Sequence, residues 1–374
     1  MKRKHIVYFD YLRFIGAILV VYIHVASPLV SGDIPMNFPG SCFLIFLLTI
    51  AYTAVPMFFM MSGYLILTDS KTQMISTLKH RIVHLALPLL FWTVIVALWA
   101  MIRDHDFSLA DFVGYVLSGF SAPIMQHFWY VYTLVALYIL SPIIYSAVNG
   151  LKTEGKKYLI MLIILVFIQT MVTAIVPDNQ KNEVLIKPLS DLKLLGGHLL
   201  TFVSGYFLGN IKKRIPNIIL VIIALADFIF ISCMTVYITL DTGYSGVIQD
   251  QGGGFTVLLA ACIFLLFKQN ISEGKSKSRL TPFVKMSFGI YLMHNLLNRV
   301  LSYFGWEVTG VLTVFMKTAV IVILCYLVIK TLATIKPICF LASGVPYSNA
   351  NESFNWRYTI RKLNSRSGLK GDNK

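Results

Sequence analysis

Long apolar runs alternate with short polar, mostly basic segments along the whole chain. A bilayer core of about 30 Å takes roughly 20 apolar residues in a helix. Ten candidate spans follow, near 12–31, 42–67, 84–102, 127–148, 158–177, 194–211, 217–240, 254–268, 284–304 and 309–335. The sixth and eighth are short and marked by glycine. Backbone amides in lipid must be satisfied within their own segment, and the strict alternation of barrel strands is absent. The pattern therefore predicts an all-α polytopic transmembrane bundle. Residues 1–336 make up its membrane domain. Residues 337–374 form a polar, basic cytoplasmic tail with Arg357, Arg361, Lys362 and Arg366, which either lies along anionic headgroups or stays disordered.

The basic residues set the orientation. With the N-terminus inside, the inner segments hold eighteen Lys and Arg, among them Lys2, Arg3, Lys4, Lys79, Arg81, Lys212, Lys213 and Arg214. The outer loops hold four: Arg103, Lys181, Lys187 and Lys193. The positive-inside rule then places both termini in the cytoplasm. This distribution also accounts for the net charge of +15 without nucleic acid as a partner. Only 13% of residues are charged, against about 25% in soluble domains, and 57% are hydrophobic. Cys42, Cys233, Cys262, Cys325 and Cys339 are scattered through apolar segments without ligand spacing, so packing is expected of them rather than disulfides or a metal site. The basic start and the small pair Ala26-Ser27 resemble a leader peptide, but Asp10, Arg13 and His24 break that pattern, and residues 1–31 are expected to be retained. Neither an internal repeat nor a P-loop is evident, and the Gly252-Gly253-Gly254 run falls in a predicted outer loop.

Polar residues inside the spans are the candidates for chemistry, because ionisable groups in a membrane are functional by default. Asp10 and Arg13 lie one turn apart at the inner end of the first span, and His24 follows eleven positions on, about 16 Å along the helix. A snorkelling arginine with a capping acid is the structural alternative for the first two. His294, with Tyr291 and Asn295 beside it, is expected at a depth similar to that of His24. A helix–helix hydrogen bond is its structural alternative. His127, Phe128, Trp129 and Tyr130 open a span from the outer face, either as an interfacial aromatic belt or as a platform for a sugar ring. Lys79 and Arg81 are either topology charges or anion ligands. Ser62-Gly63 reads as a close helix contact rather than a nucleophile. Asp227 falls near mid-bilayer, where pairing with Lys317 or Arg299, or a protonated carboxyl, is expected.

Five segments carry a resemblance. "DYLRFIGAILVVYIH", "VPMFFMMSGYLIL" at 55–67, "KHRIVHLALP" at 79–88, "HFWYVYTLVALYILSP" at 127–142 and "SFGIYLMHN" at 287–295 occur in the order seen in the acyltransferase-3 family. The chain resembles that family over about residues 5–335, and most resembles its short forms that O-acetylate surface glycans such as enterobacterial common antigen. It departs where the basic stretch often has a second arginine and this chain has His84.

The resemblance implies an O-acetyltransferase taking acetyl from cytoplasmic acetyl-CoA, a co-substrate with no further cofactor, to a glycan or a lipid-linked precursor. The expected site is a bacterial inner membrane. Acyl transfer to a hydroxyl needs a base or a nucleophile, and neutral imidazole serves as either. The catalytic candidates are thus His24, Arg13, Asp10 and His294. Arg13, Lys79 and Arg81 would hold the donor's phosphates, and His127, Trp129 and Tyr130 the acceptor. A second class stays open: a transporter of a polysaccharide or small anion using His24, Asp227 and His294 as a proton relay.

Overall fold

A computed structural model describes residues 5–31, 38–105, 108–176, 197–271 and 280–366. The predicted outer loop near 178–193, with Lys181 and Lys187, and the basic residues Lys2, Arg3, Lys4, Lys193, Lys275, Lys277 and Arg279 lie outside them. All the regular secondary structure of the described residues is helical, with no strand among them. Seven segments are long and apolar enough to cross a membrane, including Val7–Val30, Pro39–Leu67, Ile75–Asp104 and Asn217–Asp241. The other three expected spans are also helices. Two are short, and the third is long enough but interrupted by Lys285, His294, Asn295, Asn298 and Arg299. The chain is an all-α polytopic membrane protein.

The chain folds as two compact units. The first takes residues 1–78, 136–275 and 308–317. It contains α1 (Val7–Val30), α2 (Phe38–Tyr52), α3 (Ala54–Leu67), most of α6 (Trp129–Gly150), α7 (Thr153–Ile175), α8 (Gly197–Asn210), α9 (Asn217–Thr242) and α10 (Gly254–Asn270). Its core joins Tyr8, Phe9 and Leu12 of α1 to Met57, Met60 and Met61 of α3 and to Val257, Ala260 and Phe264 of α10. Edge-on rings lock this contact, with Tyr8 5.7 Å from Phe264 and Phe9 5.8 Å from Tyr64. The predicted span 42–67 is broken at Tyr52–Thr53, three residues before Pro56, which has no N–H to give back to the preceding turn.

The closest helix pair in this unit is α3 with α8. A Cβ at Gly63 would stand 1.7 Å from the carbonyl oxygen of Phe202, and one at Gly205 would stand 2.0 Å from that of Met60. The two backbones touch because glycine faces backbone on both sides, as small residues allow between helices in lipid. The structure thus puts Gly63 of the Ser62-Gly63 pair in a packing contact. The glycine run at 252–254 also packs, since Gly254 faces the carbonyl of Phe167 and Gly197 faces that of Gly252. Between α2, α9 and the segment after α9 lies a buried polar network. Gln249 Nε2 donates to Thr49 Oγ1 at 2.7 Å and to the Ile45 carbonyl at 3.2 Å, Ser232 donates to Thr49 at 3.1 Å, and Tyr244 donates to Gln249 Oε1 at 3.0 Å.

The second unit takes residues 79–135, 276–307 and 318–374. It holds nearly all of α4 (Ile75–Asp104), α5 (Leu109–Ser118), the start of α6, α11 (Thr281–Tyr303), most of α12 (Val311–Leu332) and three further helices, α13 (Lys336–Ser343), α14 (Tyr347–Asn351) and α15 (Trp356–Arg366). The tail is folded rather than disordered up to Arg366. Trp92 Nε1 donates to the Ala342 carbonyl at 3.1 Å, Asn355 donates to the Ala333 carbonyl at 3.1 Å, and Lys285 donates to Ser353 at 3.0 Å. Lys330 sits 4.1 Å from the ring centre of Trp356. Gly344, with φ of +70°, supplies the left-handed residue that ends α13, its N–H bonded to the Phe340 carbonyl at 2.8 Å. α4 ends the same way, at His105 with φ of +54°.

Candidate active site

In the first unit the polar residues of α1 fall along one helix. Asp10 is buried at 2% exposure, and His5 Nε2 lies 2.9 Å from its Oδ2. His5, which precedes the predicted span, is a partner that the spacing of Asp10 and Arg13 does not indicate. The Arg13 guanidinium is half-buried, 6.0 Å from the centre of the Phe9 ring. His24 is half-buried as well. α1 begins at Val7, five residues before the predicted start. His24 therefore lies about 25 Å from the beginning of the helix and about 9 Å from its end, in the half remote from Arg13.

Asp227 lies on α9, 7% exposed, with its Oδ2 unbonded. It makes no ion pair among the described residues, so the expected pairing with Lys317 or Arg299 is not formed. Its helix packs beside Cys262 and Leu265 of α10 through Leu220 and Ala224, an apolar setting that gives a carboxylate no counter-charge.

The second unit brings His127 and His294 together. Their rings are 4.6 Å apart between centres and inclined at 64°, and both residues are at most 3% exposed. Tyr291 completes the group: its hydroxyl donates to the His127 carbonyl, and its ring is 5.4 Å from His127 and 5.6 Å from Tyr130. His294 Nδ1 lies 2.6 Å from the Tyr291 carbonyl. A carbonyl only accepts, so Nδ1 carries the proton and the lone pair of neutral His294 is on Nε2. Asn295 Nδ2 is 3.4 Å from His127 Nδ1. A neutral imidazole that holds its proton on one nitrogen is equipped to take a proton from a hydroxyl on the other.

This placement corrects one reading of the aromatic segment. His127 and Phe128 are not part of an interfacial belt, because they are buried beside His294, nine residues and about 14 Å short of the end of α11. Trp129 and Tyr130 are half-buried, their rings 6.3 Å apart. On α4, Lys79 is exposed and Arg81 half-buried. His84, at the position of the family's second arginine, stacks with His80 at 3.9 Å and meets the edge of Phe340 at 4.8 Å.

The fold is that of a polytopic helical membrane protein with imidazoles buried among its helices. The profile of the acyltransferase-3 family, described as an acyltransferase domain, matches residues 6–330. The chain belongs to that family and is a multi-pass membrane acyltransferase. No curated protein and no solved structure matches it.

Proposed function

We propose that this acyltransferase carries acetyl from cytoplasmic acetyl-CoA to a hydroxyl of a cell-surface glycan or its lipid-linked precursor, in the inner membrane of a bacterium with both termini cytoplasmic. The observation that carries the reading is α1 itself. One helix holds a cation in its second turn and an imidazole eleven positions further on. A multiply charged CoA must stay at the membrane surface, while its thioester has to reach an interior base. Arg13, with Lys79 and Arg81, binds the phosphates, and the buried Asp10 positions this end of the helix. His24 acts as base or acyl carrier. In the second unit His294 and His127 supply the proton-accepting pair, with Trp129 and Tyr130 as the surface against which a sugar ring stacks.

The test is made on the glycan. In cells carrying His24→Ala, the mass of one acetyl group should vanish from the surface glycan while the protein stays in the membrane at its normal level. Acetylation at the normal rate would remove His24 from the mechanism. Purified protein in nanodiscs should bind acetyl-CoA saturably, with affinity falling as salt screens the phosphate contacts. A folded protein that binds no thioester but moves a glycan under a proton gradient would make the chain a transporter.

A further inference from the structure

On α7 the residues Ile160, Ile163, Ile164, Phe167, Ile168 and Met171 recur at helical spacing and form one wall of a hollow in the first unit. At one end of the hollow α7 is pinned to α10. There the Gly254 N–H donates to Thr170 Oγ1 at 2.8 Å, and a Cβ at Gly254 would stand 2.3 Å from the Phe167 carbonyl oxygen. From that contact back to Ile160, the small residues Ser204 of α8 and Ala261 of α10 leave the space opposite α7 unfilled. The hollow measures about 430 Å³, within the roughly 300–1,000 Å³ of ligand pockets. Ser204 brings the one hydroxyl of the lining among the described residues, and it donates to the Leu200 carbonyl at 2.7 Å. A polar ligand therefore finds no partner here. Ile164 and Ile168, about half exposed, open the hollow to the bilayer.

The eleven residues from Ile160 to Met171 span about 16 Å, the depth of one leaflet's acyl chains in a core of about 30 Å. One turn before Ile160, on the same stripe, stands Lys156. It is half-buried and makes no hydrogen bond or ion pair among the described residues. Its neighbour Lys157 is held by Glu154 at 2.8 Å. The ends of α8 and α10 meet at this level. Tyr206 of α8 donates to Asn149 Oδ1 at the end of α6, at 3.1 Å, and Lys268 of α10 donates to the Leu208 and Ile211 carbonyls at 2.8 and 2.6 Å. Lys212 and Lys213 follow α8 there, both exposed and again without an ion pair among the described residues. An apolar groove as long as one acyl chain thus has a cationic mouth.

We propose that this groove binds an anionic phospholipid, with one acyl chain lying along α7 from Ile160 to Met171 and the headgroup phosphate held by Lys156, Lys212 and Lys213. The charge at the mouth names the occupant. A zwitterionic lipid brings its own cation to these lysines, whereas phosphatidylglycerol brings a phosphate alone. On the orientation proposed above the lipid belongs to the cytoplasmic leaflet. The site shares no residue with those assigned to acyl transfer and does not depend on that assignment.

The test uses the parent chain in phosphatidylcholine nanodiscs. A trace of phosphatidylglycerol or of phosphatidylcholine, each carrying the same diazirine-labelled acyl chain, is photolysed and the labelled peptides are mapped by mass spectrometry. Ile164, Phe167 and Leu258 should carry several-fold more label from phosphatidylglycerol than from phosphatidylcholine. Leu225 and Ile229 of α9, exposed at 54% and 53%, should take label equally from both and so report bulk lipid. High salt, or Lys156→Gln combined with Lys212→Gln and Lys213→Gln, should lower the ratio in the groove to that of α9. A groove ratio equal to that of α9 in the parent chain would mean bulk lipid only. Label on α9 with none in the groove would mean that protein, such as a second copy of this chain, covers it. Either result overturns the site. A groove preference that survives both high salt and the triple substitution would overturn the assignment of the headgroup to these lysines.

Discussion

Replacing Gly63 with alanine adds one methyl group where two helix backbones meet. The new Cβ would lie 1.7 Å from the carbonyl oxygen of Phe202. Ordinary contact is near 3.5 Å, so α3 and α8 must part by about 1.5 Å or more. No side chain can rotate away, because the obstacle is backbone. Around the contact, Phe59, Met60 and Phe202 are fully buried, and a gap of even 1 Å forfeits up to about half of each dispersion well. Overpacking typically costs 1–3 kcal/mol, and a backbone obstacle puts Gly63→Ala at the upper end, about 3 kcal/mol. In detergent or nanodiscs its apparent melting temperature should fall by roughly 5 °C or more. Gly16→Ala should do less, since its Cβ meets only the far edge of the Phe58 ring, which can tilt. Gly114→Ala is the control. It lies within α5 with open space around it, so better helix propensity should leave stability unchanged or raise it by up to about 1 kcal/mol. If Gly63→Ala melts with the parent protein, or Gly114→Ala falls as far as Gly63→Ala, close backbone approach is not what these glycines provide.

Gln249→Leu removes the amide that ties Thr49 and the Ile45 carbonyl to Tyr244, while Thr49 keeps Ser232 and Tyr244 keeps Tyr52, so a loss of about 1–2 kcal/mol is expected in a thermal melt. Asp227→Asn keeps the shape and replaces a buried carboxyl that has no counter-charge with a neutral amide. Acetyl transfer should persist and stability should not fall, whereas lost transfer would give the carboxyl a part in moving protons. Arg13→Lys keeps the charge but loses the planar fork, so acetyl-CoA titrations should show weaker binding than the parent but tighter than Arg13→Ala. Tyr291→Phe deprives the His127 carbonyl of its donor, a loss of about 1–3 kcal/mol in holding that segment. Acceptor KM should rise with acetyl-CoA binding unchanged, and an equal loss of both would show that Tyr291 supports the whole fold.

The fold class was legible because lipid leaves the backbone so few choices. Continuous apolar runs gave the long helices, and the spacing of Ser62-Gly63 before an apolar turn gave the helix contact. Boundaries were harder. α1 starts at Val7 and α4 at Ile75, both earlier than their apolar runs, because Tyr8, Phe9, Lys79 and Arg81 continue the helix into a setting that hydropathy does not score. α11 was legible as a span only by length. Its His294, Asn295 and Asn298 look unfit for lipid until the structure shows His294 and Asn295 turned inward and buried. The tail misled in the opposite direction, because its polar composition hid Phe354 and Asn355, which are buried and hold it down.

At the candidate site the sequence supplied the residue types but not their depth. His127 and His294 are more than 160 positions apart, and nothing in their spacing says that they meet. The period of the neighbouring stretch was readable: Leu109, Val113 and Leu117 recur every four residues, the mark of an amphipathic helix. Such a stripe looks the same wherever the helix lies, because periodicity records which face is apolar and not where the helix sits. Depth enters through tertiary contacts, Gly119 against Thr93 and the Tyr291 hydroxyl against the His127 carbonyl. What the period leaves open these contacts supply: Phe128 packs edge-on to His127, which stands beside His294, so the start of α6 is buried rather than turned to lipid.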